Sequence, residues 1–266
     1  MIFWLLACGV GADIRAGKEA LEEGDLVVAE AAWRAALQKE PGNPEALYGL
    51  GWTWHLAGQI EPARSSFDQC IRQHPDYAPC YRGLGSVAMA EGNPAMARKR
   101  FEEALARAPD DAATQQSLGI LELSTGQPAA ALARFDQLLL AQPDRSALLQ
   151  GRAEALLALE RAPEAVEAAT LALQKAEDKR GKLLALLSRA RALTAVTADR
   201  VDRERCAETA PPIYEVLEEA SRNLDEAEAM GVLPGEVQQA RRLIQRRRGA
   251  VDDLCPVNQG RKSPGG

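Results

Sequence analysis

The side chains with the greatest capacity for chemistry are two histidines, His55 and His74, and five cysteines, Cys8, Cys70, Cys80, Cys206 and Cys255. Neither histidine falls at a spacing that would let it share a metal ion with a cysteine or with the other histidine. The glycines do not gather into a phosphate-cradling loop, and no Gly-x-Ser-x-Gly turn is present to expose a nucleophile. Acidic residues are numerous but stand beside bases, as in Glu102, Glu103 and Arg107, the pattern of solvated helical pairs. One basic cluster, Arg241, Arg242, Arg246, Arg247 and Arg248, lies near a helix end with Asp252 and Asp253 close by, so charge compensation explains it better than a membrane or nucleic acid. With 32 basic and 38 acidic residues intermixed and a net charge of -6, the chain offers no positive field to a phosphate backbone. The reading is of a protein with no catalytic residues, no metal, no cofactor, no small-molecule substrate and no nucleic-acid partner.

What the sequence does contain is an order of helices. Hydrophobic residues make up 46% of it, carried by Ala and Leu with 5% aromatics, which favours close-packed helices over strands. Prolines recur at Pro41, Pro75, Pro109 and Pro143, a step of 34 residues. Gly17, Gly51, Gly85 and Gly119 keep the same step, as do Gly24, Gly58, Gly92 and Gly126, Ala29, Ala63, Ala97 and Ala131, and the rings of Trp33, Phe67, Phe101 and Phe135. Each residue type has a physical task. In the second unit Leu47, Leu50, Gly51 and Trp54 recur at three- and four-residue steps and are expected to share the buried face of a first helix. Gly58 ends that helix, because glycine accepts the left-handed conformation at little cost. Asn93-Pro94 opens the second helix of the third unit, and Pro75 and Pro109 stop second helices.

A 34-residue helix-turn-helix period with these small and aromatic positions resembles the tetratricopeptide repeat (TPR) family. The resemblance implies an all-α superhelical solenoid of stacked helix hairpins with a divergent C-terminal hairpin and capping helix. The repeats are drawn at 10–43, 44–77, 78–111, 112–145 and a degenerate 146–179, which has Ala153, Ala169 and Glu177 where the others have Gly, a ring and Pro. The missing ring predicts tighter or altered packing there. Residues 180–257 are expected to form a divergent hairpin, whose second helix opens at Pro211-Pro212, and a capping helix that covers the last apolar face. Residues 258–266 are expected to be a disordered tail.

Subtracting the packing positions leaves a second face. Tyr48, Trp52 and His55 lie one helical turn apart, and Arg82, Ser86 and Met89, then Gln116, Ile120 and Leu123, repeat them 34 and 68 residues on. In the TPR family this face lines the concave groove, and its composition suggests that a protein or peptide partner docks there. TPR domains that grip acidic chaperone tails use Lys and Asn at such slots, and that clamp is absent here.

The N-terminus, Met1 to Ala7 followed by Cys8 and Gly9, resembles the end of a bacterial lipoprotein signal, with Leu5 three places before the cysteine and Ala7 just before it. The resemblance implies a signal and acceptor region over 1–9, lipidation of Cys8, and a periplasm-facing place in the envelope of a Gram-negative bacterium, held to the membrane through Cys8 only. Setting Cys8 aside leaves four cysteines, an even number suited to an oxidising periplasm, with Cys206–Cys255 the favoured pair and Cys70–Cys80 possible across a turn. The expected function is a non-catalytic interaction scaffold for envelope assembly, the alternative being a cytoplasmic TPR adaptor or co-chaperone without an anchor.

Overall fold

The computed structural model describes residues 2–197, 206–230 and 234–255, and among these every regular element is a helix. Two compact units divide the chain, Met1–Thr125 and Gly126–Gly266.

The first unit contains α1 (Ile2–Glu23), α2 (Leu26–Lys39), α3 (Pro44–Leu56), α4 (Ile60–Gln73), α5 (Ala78–Ala90), α6 (Pro94–Arg107) and α7 (Ala112–Ser124). Each packs on the one before it, and α1, α3, α5 and α7 also touch in succession. Local chemistry sets the boundaries. Asn43 accepts a hydrogen bond from the Ala46 amide at 2.9 Å and Asn93 one from Met96 at 3.0 Å, each just ahead of a proline at the first helical position. Gly58, at φ +74°, then turns α3 into α4. α1 begins eight residues ahead of the expected first repeat at Val10; the side chains of residues 1–8, and with them the lipidation site Cys8, lie outside those described.

The rings hold the unit together in a way only half expected. Phe67, on α4, is fully buried against Gly51 of α3, as the period suggests, but also against Gly83 of α5. A β-carbon at either glycine would lie within 2.7 Å of the ring. Trp33 is held in the same way between Gly17 and Gly49. Each ring thus stands sixteen residues after one glycine and sixteen before another, and Gly49, Gly83 and Gly151 form a second glycine register, broken at Ser117. Trp54 departs from expectation, being half-buried. Its register holds Ala20 and Ala88 in the neighbouring repeats, both buried, so an indole overfills the slot and its outer edge is covered by the Arg34 guanidinium, 5.8 Å from the ring centre.

A disulfide joins Cys70 at the end of α4 to Cys80 in the first turn of α5, with α-carbons 6.3 Å apart and both side chains fully buried. Buried Ala36 and Ala46 hold the corresponding positions one repeat earlier, and Ala104 and Thr114 one repeat later. Cys255 is also disulfide-bonded. The side chain of Cys206, its expected partner, lies outside those described.

The second unit contains α8 (Pro128–Ala141), α9 (Ser146–Ala158), α10 (Ala162–Lys175), α11 (Lys179–Val196), α12 (Cys206–Ala229) and α13 (Pro234–Leu254). Phe135 of α8 is buried against Gly151 of α9. In the degenerate repeat the ring and both glycine registers become Ala169, Ala153 and Ala185, all fully buried, and α9 packs directly on α11 more extensively than α3 does on α5. Three methyl groups replace one ring between two bare backbones. Glu160 occupies the turn where the other repeats have glycine and adopts φ 60° all the same, a conformation that costs a residue with a β-carbon about 1 kcal/mol.

Beyond it, Leu183, Leu186, Leu187, Ala190 and Leu193 of α11 meet Ile213, Leu217 and Leu224 of α12 and Val237, Ile244 and Val251 of α13 in one apolar cluster. Pro211 and Pro212 do not open α12 but sit inside it. The amides they lack would have bonded carbonyls of the helix's first turn, so only that turn loses support. The arginine cluster serves the cap: Arg241 reaches Asp225 and Glu228, each at 2.6 Å, and Arg247 donates to the Thr197 carbonyl. Residues 258–266 lie outside those described.

Candidate functional site

With its Leu47 and Leu50 side buried, α3 carries Tyr48, Trp52 and His55 along an adjoining stripe, all three half-buried. Their rings form a run: Tyr48 and Trp52 stack with centres 6.2 Å apart, and Trp52 and His55 lie 5.2 Å apart, tilted. Tyr48 also leans on core Phe67, at 5.9 Å. Arg82, one repeat on in α5, lies across this run with its guanidinium carbon 5.3 Å from the Tyr48 ring and 5.9 Å from the Trp52 ring. Its Nη2 donates to the Tyr48 hydroxyl at 2.8 Å.

Asp111, just ahead of α7, completes the group with Oδ2 3.8 Å from Arg82 Nε. That carboxylate also caps α7, accepting from the Thr114 amide at 3.0 Å and the Thr114 hydroxyl at 2.5 Å. Burial raises the pKa of Tyr48, opposed by the charge and hydrogen bond of Arg82. Burial lowers that of His55, whose Nδ1 is enclosed without a hydrogen-bond partner, so the neutral ring is favoured.

The remaining sequence-predicted residues stand at the same registers of the next helices. Ser86 turns back on its own helix, donating to the Arg82 carbonyl at 3.3 Å. Met89 is half-buried against the cluster around Phe101. On α7, Gln116 and Leu123 are half-buried and Ile120 is 45% exposed. The structure therefore draws Tyr48, Trp52, His55 and Arg82 into one contacting group and leaves the other five as its continuation across α5 and α7. Arg82 does not stand free on the stripe but is held against the Tyr48 and Trp52 rings. Asp111 was missed because it precedes a helix rather than lying on the stripe. The Tyr48–Arg82 contact was legible, since two residues 34 apart occupy neighbouring copies of one slot. Among the described residues no group of His, Cys, Asp and Glu side chains comes together to hold a metal ion, and no helix is long and apolar enough to cross a membrane.

The tetratricopeptide repeat profile matches residues 20–86, 56–121 and 88–153, together half of the chain. The chain belongs to the tetratricopeptide repeat family. Its fold is accordingly a TPR solenoid of helix hairpins, a fold that is generally a non-catalytic scaffold for protein interactions. Solved TPR structures resemble it. A thermophilic TPR protein of Thermus thermophilus is 24% identical with a TM-score of 0.61, over 67% of this chain and 98% of its own. PilF of Pseudomonas aeruginosa is 17% identical with a TM-score of 0.57, over 89% and 98%. PilW, a widely conserved type IV pilus biogenesis factor, is 19% identical with a TM-score of 0.62, over 86% and 97%. At these identities the likeness is one of fold. Comparison with curated proteins finds no significant match.

Proposed function

We propose that the protein is a non-catalytic scaffold that receives a polypeptide segment along the α3–α5–α7 face and works in the envelope of a Gram-negative bacterium, anchored through lipid on Cys8. The observation that carries the first part is the half-exposed aromatic run of Tyr48, Trp52 and His55, ordered by Arg82 and continued by Met89, Ile120 and Leu123. Aromatic side chains already fixed by folding lose little freedom on binding, which is why they serve as anchors. Trp52→Ala is expected to weaken capture of the partner from envelope extracts by roughly 2 kcal/mol, with a smaller shift in urea midpoint. Unchanged capture would assign this face to packing and move the search to the convex side.

The envelope reading rests on Leu5, Ala7 and Cys8 and on disulfide bonding at Cys70, Cys80 and Cys255, which suits an oxidising compartment. The fold likeness to the pilus biogenesis factor PilW is compatible with a role in envelope assembly. Intact-mass analysis of native protein is expected to show loss of residues 1–7 and added acyl mass at Cys8, with the protein in the membrane fraction. Soluble protein that retains an unmodified Met1, with free thiols at Cys70 and Cys80, would favour a cytoplasmic adaptor instead.

A further inference from the structure

We infer that the segment received by this face carries an internal Asp or Glu, flanked by apolar residues, whose carboxylate is bound by Arg82; the inference rests on the groove reading above. Arg82 makes a single hydrogen bond, from Nη2 to Tyr48. Its Nε is enclosed and has no hydrogen-bond partner, whereas Nη1, also without one, is not enclosed. The guanidinium is nonetheless held in place, because its side chain is only 16% exposed and two aromatic rings flank it. A planar cation that is immobilised, largely dehydrated and still has unused donors is pre-organised for a planar anion. Carboxylate is the match, since its oxygen can accept a charge-assisted hydrogen bond from Nη1, the donor that is neither enclosed nor already used.

The acid paired with it, Asp111, does not fill this role. Asp111 Oδ2 lies beyond hydrogen-bond distance of Nε, at 3.8 Å, and already accepts two bonds from Thr114. As the cap of α7 it also faces the positive end of that helix, which offsets part of its charge. Asp111 thus offsets the charge of Arg82 from 3.8 Å but takes up none of its hydrogen-bond donors. The flanking surface decides between a side chain and a chain terminus. Half-exposed or exposed apolar groups stand on both helices beside α5, Trp52 on α3 and Ile120 on α7. A peptide ending at Arg82 would leave one of them uncovered, whereas a peptide passing over it covers both.

The test uses the whole protein and a random library of short peptides blocked at both ends, so that no terminal charge is present. Wild-type protein should enrich peptides with Asp or Glu at one position and apolar residues on either side. Changing that acid to its amide should weaken binding about tenfold or more, the scale of a lost charged hydrogen bond. This comparison needs no protein variant and so is independent of folding. Against Arg82→Gln, checked for helix content and melting, the acid and amide peptides should bind alike. The inference is overturned if enriched peptides are apolar without an acid, if Arg82→Gln keeps the acid preference, or if peptides with a free C-terminus bind through that terminus regardless of internal acids. Enrichment without an acid preference leaves the groove standing, whereas no enrichment by wild type, equal to that of Trp52→Ala, removes the groove reading itself.

Discussion

Phe67→Ala is expected to cost about 4 kcal/mol, at the upper end of large-to-small core replacements, because the ring is fully buried and its removal empties a space enclosed from two repeats at once. Gly51→Ala and Gly83→Ala should each cost about 1–3 kcal/mol by the opposite route, forcing a β-carbon to within 2.7 Å of the same ring. The three changes together reproduce the arrangement of Ala153, Ala169 and Ala185, which the fifth repeat already uses. The triple variant should therefore lose less than the sum of the single losses, by well over the roughly 0.5 kcal/mol scatter of independent sites. Urea titration of the single, double and triple variants measures this coupling. Strictly additive losses would mean that the ring and the glycines do not share one space.

Removing the Cys70–Cys80 bond should give the next largest loss. The bond spans ten residues, and on the chain-entropy account closing so short a loop contributes up to about 2.7 kcal/mol. Ala is a suitable replacement at both sites, because buried Ala36 and Ala46 hold the same pair of positions one repeat earlier. The C70A/C80A double variant should thus fold normally and unfold at lower urea, and wild-type protein with reductant present should unfold near the same midpoint. A double variant as stable as the oxidised wild type would show that the bond contributes nothing. A reduced wild type much less stable than the double variant would point instead to the cost of enclosing two unpaired thiols.

Much of the fold could be read from spacing alone, because the helix pairs recur every 34 residues and each boundary carries its own signal, such as Asn93-Pro94 or Gly58. What escaped reading lay where a position answers to two repeats. Gly49 and Gly83 read as ordinary helix residues until Trp33 and Phe67 are seen pressed against them from the preceding repeat. Spacing gives Cys70–Cys80 only as a possible pair across a turn; that both occupy facing small slots, Ala36 with Ala46 and Ala104 with Thr114 elsewhere, is the further signal for their pairing. Trp54 was misjudged because periodicity reports direction and not the room available. Of the site, the stripe was legible but its internal bonding was not. Stripe membership follows from helical geometry, whereas the capture of Arg82 by Tyr48 and Trp52 depends on how closely α3 and α5 approach.

The placement of Trp33 and Phe67 sixteen residues from a glycine on either side also governs how such a chain can change length. Excision of residues 44–77 would set Gly83 sixteen positions after Trp33, where Gly49 stood, and would set Cys80 opposite Ala36. To the tryptophan the new neighbour is the same bare stretch of helix, and only the cysteine loses its counterpart. Duplication of the same segment is equally neutral for the rings. Gain or loss of this 34-residue block is thus a change the rings do not register, whereas one residue more or less within a helix would shift a side chain onto a glycine's place.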